Sequence, residues 1–150
     1  MVSGTLGGRM KLADLLKVLR EAPLVPSVQA DSGSPLDHPE TIVRLARASL
    51  SVQFSLLRLQ GVEDILAVRQ SCPGVPIAGL IKSEISRQRV YITPGIREVQ
   101  ALIDVGCEIV CLDGTSRPRP GGTSLEDLIH MIHAAGRVAL ADIDSLSSAN

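Results

Sequence analysis

Five short apolar segments recur along the chain, and amphipathic segments separate them. The apolar segments are LVPSVQA, FSLLRL, IAGLI, EIVCLD and RVALADI. Each has the length of a buried β-strand, and the segments between them show apolar residues at helical spacing. Regular alternation of strand and helix is typical of a parallel sheet covered by helices. The sequence therefore predicts five successive strand-helix units, preceded by an amphipathic helix over LADLLKVLREA.

Polar or charged side chains stand at the ends of these five apolar segments. They lie between 24 and 31 residues apart and are Gln29, Arg58, Lys82, Asp113 and Asp142. Parallel strands present their carboxyl ends on one face of the fold, which is where α/β proteins bind ligands. We therefore predict that these five side chains form a candidate active site.

Local signals indicate where three of the helices begin. Pro39 is expected in the first turn of the second helix, because proline fits the first helical position. Thr93 followed by Pro94 predicts another helix start, with threonine as the N-cap. Thr123 and Glu126 have the spacing of a capping box for LEDLIHMIHAAG. The closing residues SLSSAN predict the opening of a further helix.

Two architectures fit this periodicity equally well. Five units of about 150 residues could form a doubly wound, flavodoxin-like domain or the first five units of a (βα)8 barrel. The segment after the first strand, QADSGSP, lacks the G-x-G-x-x-G phosphate loop of dinucleotide-binding folds. The periodicity by itself leaves both architectures open.

The strand-end residues have side chains that could transfer protons or bind polar groups of a ligand. Lys82 follows the apolar IAGLI directly, so its amine could act as a base or a Schiff-base nucleophile, or simply reach water. Arg58 could hold a carboxylate, phosphate or enolate oxygen, or form a structural ion pair. Gln29 could orient a carbonyl or an amide, or form a hydrogen bond within a turn. Asp113 and Asp142 could hold hydroxyl groups or transfer protons, or cap the following helices.

Two polar loops add further candidates. In GTSRPRPGG, Arg117 and Arg119 could recruit an anion, although solvated loop charges are the commoner outcome. The segment KSEISRQRVYIT could fold over a ligand or form a plain surface loop.

Composition narrows the classes of protein that fit. The chain has 150 residues, 45% of them hydrophobic, which predicts a single domain over residues 1–150. A net charge of −1 gives no general attraction to nucleic acid or anionic lipid. No apolar run approaches the roughly 20 residues of a membrane span, and MVSGTLGGRM lacks the apolar core of a secretory signal. A cytoplasmic location is therefore expected.

The cysteines and histidines predict neither disulfides nor metal. Cys72, Cys107 and Cys111 are odd in number and lack paired CxxC spacing, so the latter two are expected as buried apolar side chains. His130 and His133 lie three apart on a helix, outside the strand-end face. We predict no metal site.

Several segments together resemble one enzyme family. In chain order they are VPSVQADSGSPLDHPE, RLQGVEDI, GLIK, ITPGIREVQALIDVGCEIVCLDGTSRPRP and ADI. From Pro26 to about Ser147 they are similar to the N-terminal five-eighths of the N-acylglucosamine-6-phosphate 2-epimerase family, also called N-acetylmannosamine-6-phosphate 2-epimerase. The resemblance implies a TIM-type (βα)8 barrel, of which this chain would hold about five units.

The resemblance also implies an activity and residue roles. The family converts N-acetylmannosamine 6-phosphate to N-acetylglucosamine 6-phosphate in sialic acid and amino sugar catabolism, without a cofactor. Lys82 matches its catalytic lysine, while Gln29, Arg58 and Asp142 match substrate-contacting positions. Asp113 falls in the family's DGT turn. Asp144 stands where the family more often has a hydroxyl residue.

The same resemblance implies that part of the barrel lies outside this sequence. The family carries its second acid/base, a glutamate, on the seventh strand and binds the substrate phosphate after strands seven and eight. The expectation is a chain with one catalytic part of the site, and with strands one and five as open edges. Open edges favour association, so a homo-oligomer is one expected outcome.

Overall fold

The computed structural model describes residues 9–83 and 90–149. Its helices are α1 (Leu12–Glu21), α2 (Pro39–Ser51), α3 (Val62–Ser71), α4 (Ile96–Asp104) and α5 (Leu125–Ala134). Its strands are β1 (Ser27–Val28), β2 (Leu57–Gln60), β3 (Ile77–Leu80), β4 (Ile109–Asp113) and β5 (Val138–Asp142). All five predicted strand-helix units are found, except that the last strand is followed by a short 3₁₀ helix, Leu146–Ala149. Half of the predicted loop KSEISRQRVYIT, residues 84–89, and most of MVSGTLGGRM lie outside the described residues.

The strands form one parallel sheet in the order β1-β2-β3-β4-β5. A flavodoxin-like domain would have the order 2-1-3-4-5, with the chain reversing direction across the sheet. Sequential order, in which each strand pairs with the next, is that of successive barrel units. The barrel-type prediction is confirmed, and the doubly wound alternative is wrong.

Alternate side chains along each strand divide the sheet into two faces. One face packs against α2 to α5 and forms the larger core, with Leu57, Leu59, Val110 and Leu112 among its members. The opposite, concave face holds a smaller apolar cluster consisting of Leu15, Leu56, Ala78, Leu80, Ile109, Cys111 and Val138. Leu15 belongs to α1, so that helix covers the concave face near the amino ends of the strands. At the carboxyl ends of the strands the same face carries polar side chains, among them Arg58 and Asp142.

A buried ion pair lies at the amino ends of β3 and β4. Glu108 Oε2 accepts hydrogen bonds from the Arg69 guanidinium and from the backbone N–H of Ile77, both at 2.9 Å. Arg69 also donates to the carbonyls of Val75 and Gly106, at 2.9 and 2.7 Å. These contacts join the end of α3 to the starts of β3 and β4.

The helix starts agree only in part with the sequence signals. Pro39 occupies the first turn of α2, as predicted. Helix α4 begins after Gly95, so the prediction that Thr93 is its N-cap is wrong. The capping box of α5 is formed by Ser124 and Asp127, one residue after the predicted pair. Within the segment predicted to open a further α-helix, Leu146–Ala149 form a 3₁₀ helix instead.

None of the helices within residues 9–83 and 90–149 is long and apolar enough to cross a membrane. In the same residues, no group of three or more His, Cys, Asp or Glu side chains has an arrangement suited to a metal ion.

Gly79→Ala is expected to destabilise the fold. A Cβ atom on Gly79 would lie 2.4 Å from Cys107 Sγ and 2.9 Å from Leu102 Cδ2, closer than van der Waals contact allows. Overpacking of this kind typically costs about 1–3 kcal/mol. Urea unfolding should show that loss, and Cys107→Ala in the same chain should restore part of it. Gly95→Ala is the milder comparison and should lose less stability, because its Cβ would meet only the flexible end of the Glu98 side chain, at 3.3 Å. An unchanged midpoint for Gly79→Ala would contradict the packing described.

Candidate active site

The period of two along the strands places all five predicted side chains on the concave face. Arg58, Lys82, Asp113 and Asp142 each lie two residues after a member or neighbour of the concave apolar cluster, namely Leu56, Leu80, Cys111 and Leu140. Gln29 follows Val28, whose side chain packs in the opposite core. The five strand-end residues therefore lie on one face, where hydrogen bonds join Gln29, Arg58 and Asp142, in part through Ser27.

Arg58 and Asp142 form an ion pair across the concave face. One Arg58 Nη atom donates to both carboxylate oxygens of Asp142, at 2.8 and 3.0 Å. Their strands, β2 and β5, are separated by two others, which in a flat sheet would place them roughly 14 Å apart. Direct contact therefore requires a sheet that curves around this face. The pair is about one quarter to one third exposed, so a ligand can reach it.

Gln29 is tied to the same group of residues through Ser27. The Gln29 side-chain amide donates to Ser27 Oγ at 2.5 Å, and the other Arg58 Nη atom donates to that hydroxyl at 3.4 Å. Gln29, Arg58 and Asp142 thus form one connected polar group across β1, β2 and β5.

Lys82 lies at the end of β3, with about one quarter of its side chain exposed. Its Nζ atom is 3.2 Å from Asp31 Oδ1, on the loop after β1. Sequence reasoning missed Asp31, since nothing in QADSGSP marks that aspartate as a partner for a lysine 51 residues later. The backbone of Lys82 pairs with that of Ile92 in an isolated antiparallel bridge.

Asp113 forms the turn after β4. Its carboxylate accepts hydrogen bonds from the backbone N–H and the hydroxyl of Thr115. Arg119 donates to the carbonyls of Asp113 and Thr115, and its side chain is 2% exposed. The commoner outcome expected for these loop arginines, a solvated charge, is therefore wrong for Arg119, which folds inward because the turn carbonyls need a donor.

Arg117 is half-exposed and lies between two carboxylates. It is 3.7 Å from Asp113 Oδ2 and forms a shorter ion pair with Asp144, beyond β5. The hydrogen bond from Arg117 lowers the pKa of the Asp144 carboxyl. The loop after β4 is thus joined to the end of β5.

A buried thiol lies beneath the Arg58–Asp142 pair. Burial raises the pKa of Cys111 to about 11, and the neighbouring Arg58 opposes the shift. Burial likewise raises the pKa of Cys107 to about 12. The prediction that both cysteines are buried side chains is confirmed.

At pH 8, the native chain should react with an aromatic disulfide reagent at Cys72 alone. Cys107 and Cys111 are buried and hold their protons far above that pH, whereas Cys72 is partly exposed. Absorbance of the released thiolate should indicate one equivalent in buffer and three in denaturant, with Cys72→Ser as the control. Fast reaction of three thiols in the native chain would contradict the burial.

Comparison with known proteins identifies relatives of this chain. A sequence model of the family described as "Putative N-acetylmannosamine-6-phosphate epimerase" matches residues 42–150. The chain belongs to this family. A relative from Clostridium perfringens strain SM101 is 39% identical over 123 residues, and one from Edwardsiella ictaluri is 38% identical over 129 residues. Both relatives carry the description "Putative N-acetylmannosamine-6-phosphate 2-epimerase".

A solved structure of a family member shares the fold. The N-acetylmannosamine-6-phosphate 2-epimerase from Clostridium perfringens superimposes with a TM-score of 0.84 at 35% sequence identity. The match covers 95% of this chain and 61% of that one. With the two sequence relatives, the aligned residues make up 82% and 86% of this chain but 55% and 54% of the relatives. The chain thus spans about half the length of these curated relatives of the epimerase family.

Proposed function

We propose that the concave face of this chain binds N-acetylmannosamine 6-phosphate and exchanges the proton at C2 of the sugar, as part of its epimerisation to N-acetylglucosamine 6-phosphate. The observation that carries the proposal is that Lys82 lies on the same face of the sheet as the connected group Gln29, Arg58 and Asp142, in a chain of the epimerase family. The wider role in sialic acid and amino sugar catabolism belongs to the same proposal.

Lys82 is the proposed base. The C2 hydrogen of the open-chain sugar is adjacent to the C1 aldehyde, so its removal gives an enolate that delocalises charge onto oxygen. The amine lies at the mouth of the fold with partial access to solvent, where a substrate carbon can reach it. Proton transfer by a positioned side chain typically contributes about 10²–10⁴-fold to a rate. Lys82 would take the proton in its neutral form and return a solvent-exchanged one.

Arg58 is proposed to stabilise the negative charge that develops on the enolate oxygen. A guanidinium keeps its charge and offers several N–H donors, of which the contacts to Asp142 and Ser27 use only part. A sugar oxygen can be bound by the remaining donors, or it can displace the carboxylate. The Asp142 carboxylate would then accept hydrogen bonds from sugar hydroxyl groups. The Gln29 amide would donate a hydrogen bond to the N-acetyl group.

Inversion at C2 requires a second acid/base on the opposite face of the sugar. In the epimerase family that group is expected on a strand later in the barrel than the five described here. Proton exchange at C2 needs only the base and a group that stabilises the enolate. The proposed function of these residues is therefore the deprotonation part of the epimerase reaction.

Titration of the chain with N-acetylmannosamine 6-phosphate, followed by NMR of both molecules, tests the proposal. The expected result is saturable perturbation of signals at the strand ends, with loss of the C2 hydrogen signal in D2O. Arg58→Met should weaken binding, and the exposed Arg97→Met on α4 is the control. Binding without any exchange would favour a sugar-phosphate-binding remnant. Absence of binding would refute the proposal.

A further inference from the structure

Residues 91–93 lie between the carboxyl ends of β3 and β4. The two strands pair only at Ala78–Ile109 and Gly79–Val110. Beyond those pairs, the backbone at the end of each strand forms hydrogen bonds with residues 91–93 instead. Thr93 N–H donates to the Ile81 carbonyl at 2.7 Å, and Asp113 N–H donates to the Ile92 carbonyl at 3.0 Å.

Thr93 forms hydrogen bonds with both the backbone N–H and the carbonyl of Ile81, the residue before Lys82. Its N–H binds the Ile81 carbonyl, and its Oγ1 accepts from the Ile81 N–H at 3.2 Å. On the other side of Lys82, Ser83 N–H donates to the Tyr91 carbonyl at 2.7 Å. The backbone that carries the Lys82 side chain is therefore fixed from both directions.

Thr93 adopts a conformation that a β-branched residue rarely accepts. Its φ is +45°, in the left-handed region, and its side chain is fully buried. Such strain costs of order 1–3 kcal/mol and persists only where surrounding contacts enforce it. Here the enforcing contacts are those made to Ile81, directly before the proposed base.

We propose that Thr93 is a positioning residue for Lys82. Its hydroxyl holds the end of β3 in the geometry that directs the lysine amine across the concave face. The catalytic part of this inference rests on the proposed function, whereas the orientation of Lys82 does not. A hydroxyl acceptor is required because, among residues 9–83 and 90–149, the β3–β4 pairing ends before it reaches the Ile81 N–H.

Competitive labelling of amines tests the orientation without requiring turnover. The chain has three lysines, and the exposed Lys11 and Lys17 on the amino-terminal side serve as internal standards for Lys82. Acetic anhydride labelling read by mass spectrometry gives the reactivity of Lys82 relative to both. In Thr93→Val, which keeps the β-branched shape but lacks the hydroxyl, this ratio should rise at least about threefold as the amine is released. Thr93→Ser should keep the wild-type ratio.

Ser124→Ala is the matched control. It removes another hydroxyl that accepts a backbone N–H, from Asp127 at 3.0 Å, at the start of α5. Its labelling ratio should equal that of the wild type even where its melting temperature falls. If Thr93→Val does not fold, Thr93→Ala against Thr93→Ser gives the same comparison.

Kinetics separate the positioning role from the proposed function. If the wild type exchanges the C2 proton, Thr93→Val should lower kcat by about 10–100-fold with little change in KM, and serine should restore it. A wild type without exchange refutes the proposed function and leaves the labelling ratio to decide on Thr93. An unchanged or lower ratio in Thr93→Val, or an equal rise in Thr93→Ser, would overturn the assignment.

Discussion

Lys82→Ala is expected to lower the rate of C2 proton exchange by about 10²–10⁴-fold. The lysine amine is the proposed base, and its nearest described partner, Asp31, is an exposed carboxylate on a loop. Alanine removes the amine while leaving the ion pair between Arg58 on β2 and Asp142 on β5 in place. Binding of the sugar phosphate should therefore weaken much less than exchange. Mass spectrometry of deuterium uptake from D2O measures the rate.

Two variants control this result. Lys17→Ala removes an exposed amine of α1 and should exchange at the wild-type rate. Lys82→Arg keeps the charge but holds its proton at any working pH, so it should be as inactive as alanine. Exchange by Lys82→Ala within threefold of the wild type would remove Lys82 from the base role.

Glu108→Ala is expected to reduce the free energy of unfolding by about 3–5 kcal/mol. The variant leaves the Arg69 guanidinium buried with its charge partner removed, and it takes an acceptor from the Ile77 N–H. Total stabilities of single domains are only about 5–15 kcal/mol, so the variant could be largely unfolded at 37 °C. Urea unfolding followed by circular dichroism measures the change.

A double variant without either charge distinguishes the contribution of the ion pair to stability from that of side-chain packing. Arg69→Met with Glu108→Leu removes both charges, and should recover much of the loss since buried ion pairs are often replaceable by apolar side chains. Glu21→Ala, at the exposed end of α1, should change stability by less than about 0.5 kcal/mol. A loss below 1 kcal/mol in Glu108→Ala would contradict the buried pair.

Features set by local periodicity were predictable from the sequence. The five strands follow from apolar runs bounded by polar residues, and the shared concave face of Arg58, Lys82 and Asp142 follows from their place at strand ends. Strand order required more than periodicity, because a doubly wound sheet has the same alternation of elements. The resemblance to the epimerase family favoured the barrel, and the observed sequential pairing agrees.

Features that depend on contacts distant in sequence could not be predicted. The Lys82–Asp31 pair and the Arg69–Glu108 pair join residues 51 and 39 positions apart, and no local pattern marks such partners. Thr93 has the local signature of a helix cap, Thr-Pro, yet its hydroxyl binds the end of β3. Tertiary hydrogen bonds there outweigh the local preference, and the helix starts two residues later than predicted, with Gly95 as its N-cap.

The most direct test of the central claim is the position of the solvent label in the sugar. The wild-type chain, purified from a host that lacks the epimerase, is incubated in D2O with N-acetylmannosamine 6-phosphate, and the sugar is analysed by NMR. Our account predicts deuterium at C2 alone, at a rate proportional to protein concentration and lost in Lys82→Ala. Bound sugar phosphate that keeps its C2 hydrogen would contradict it.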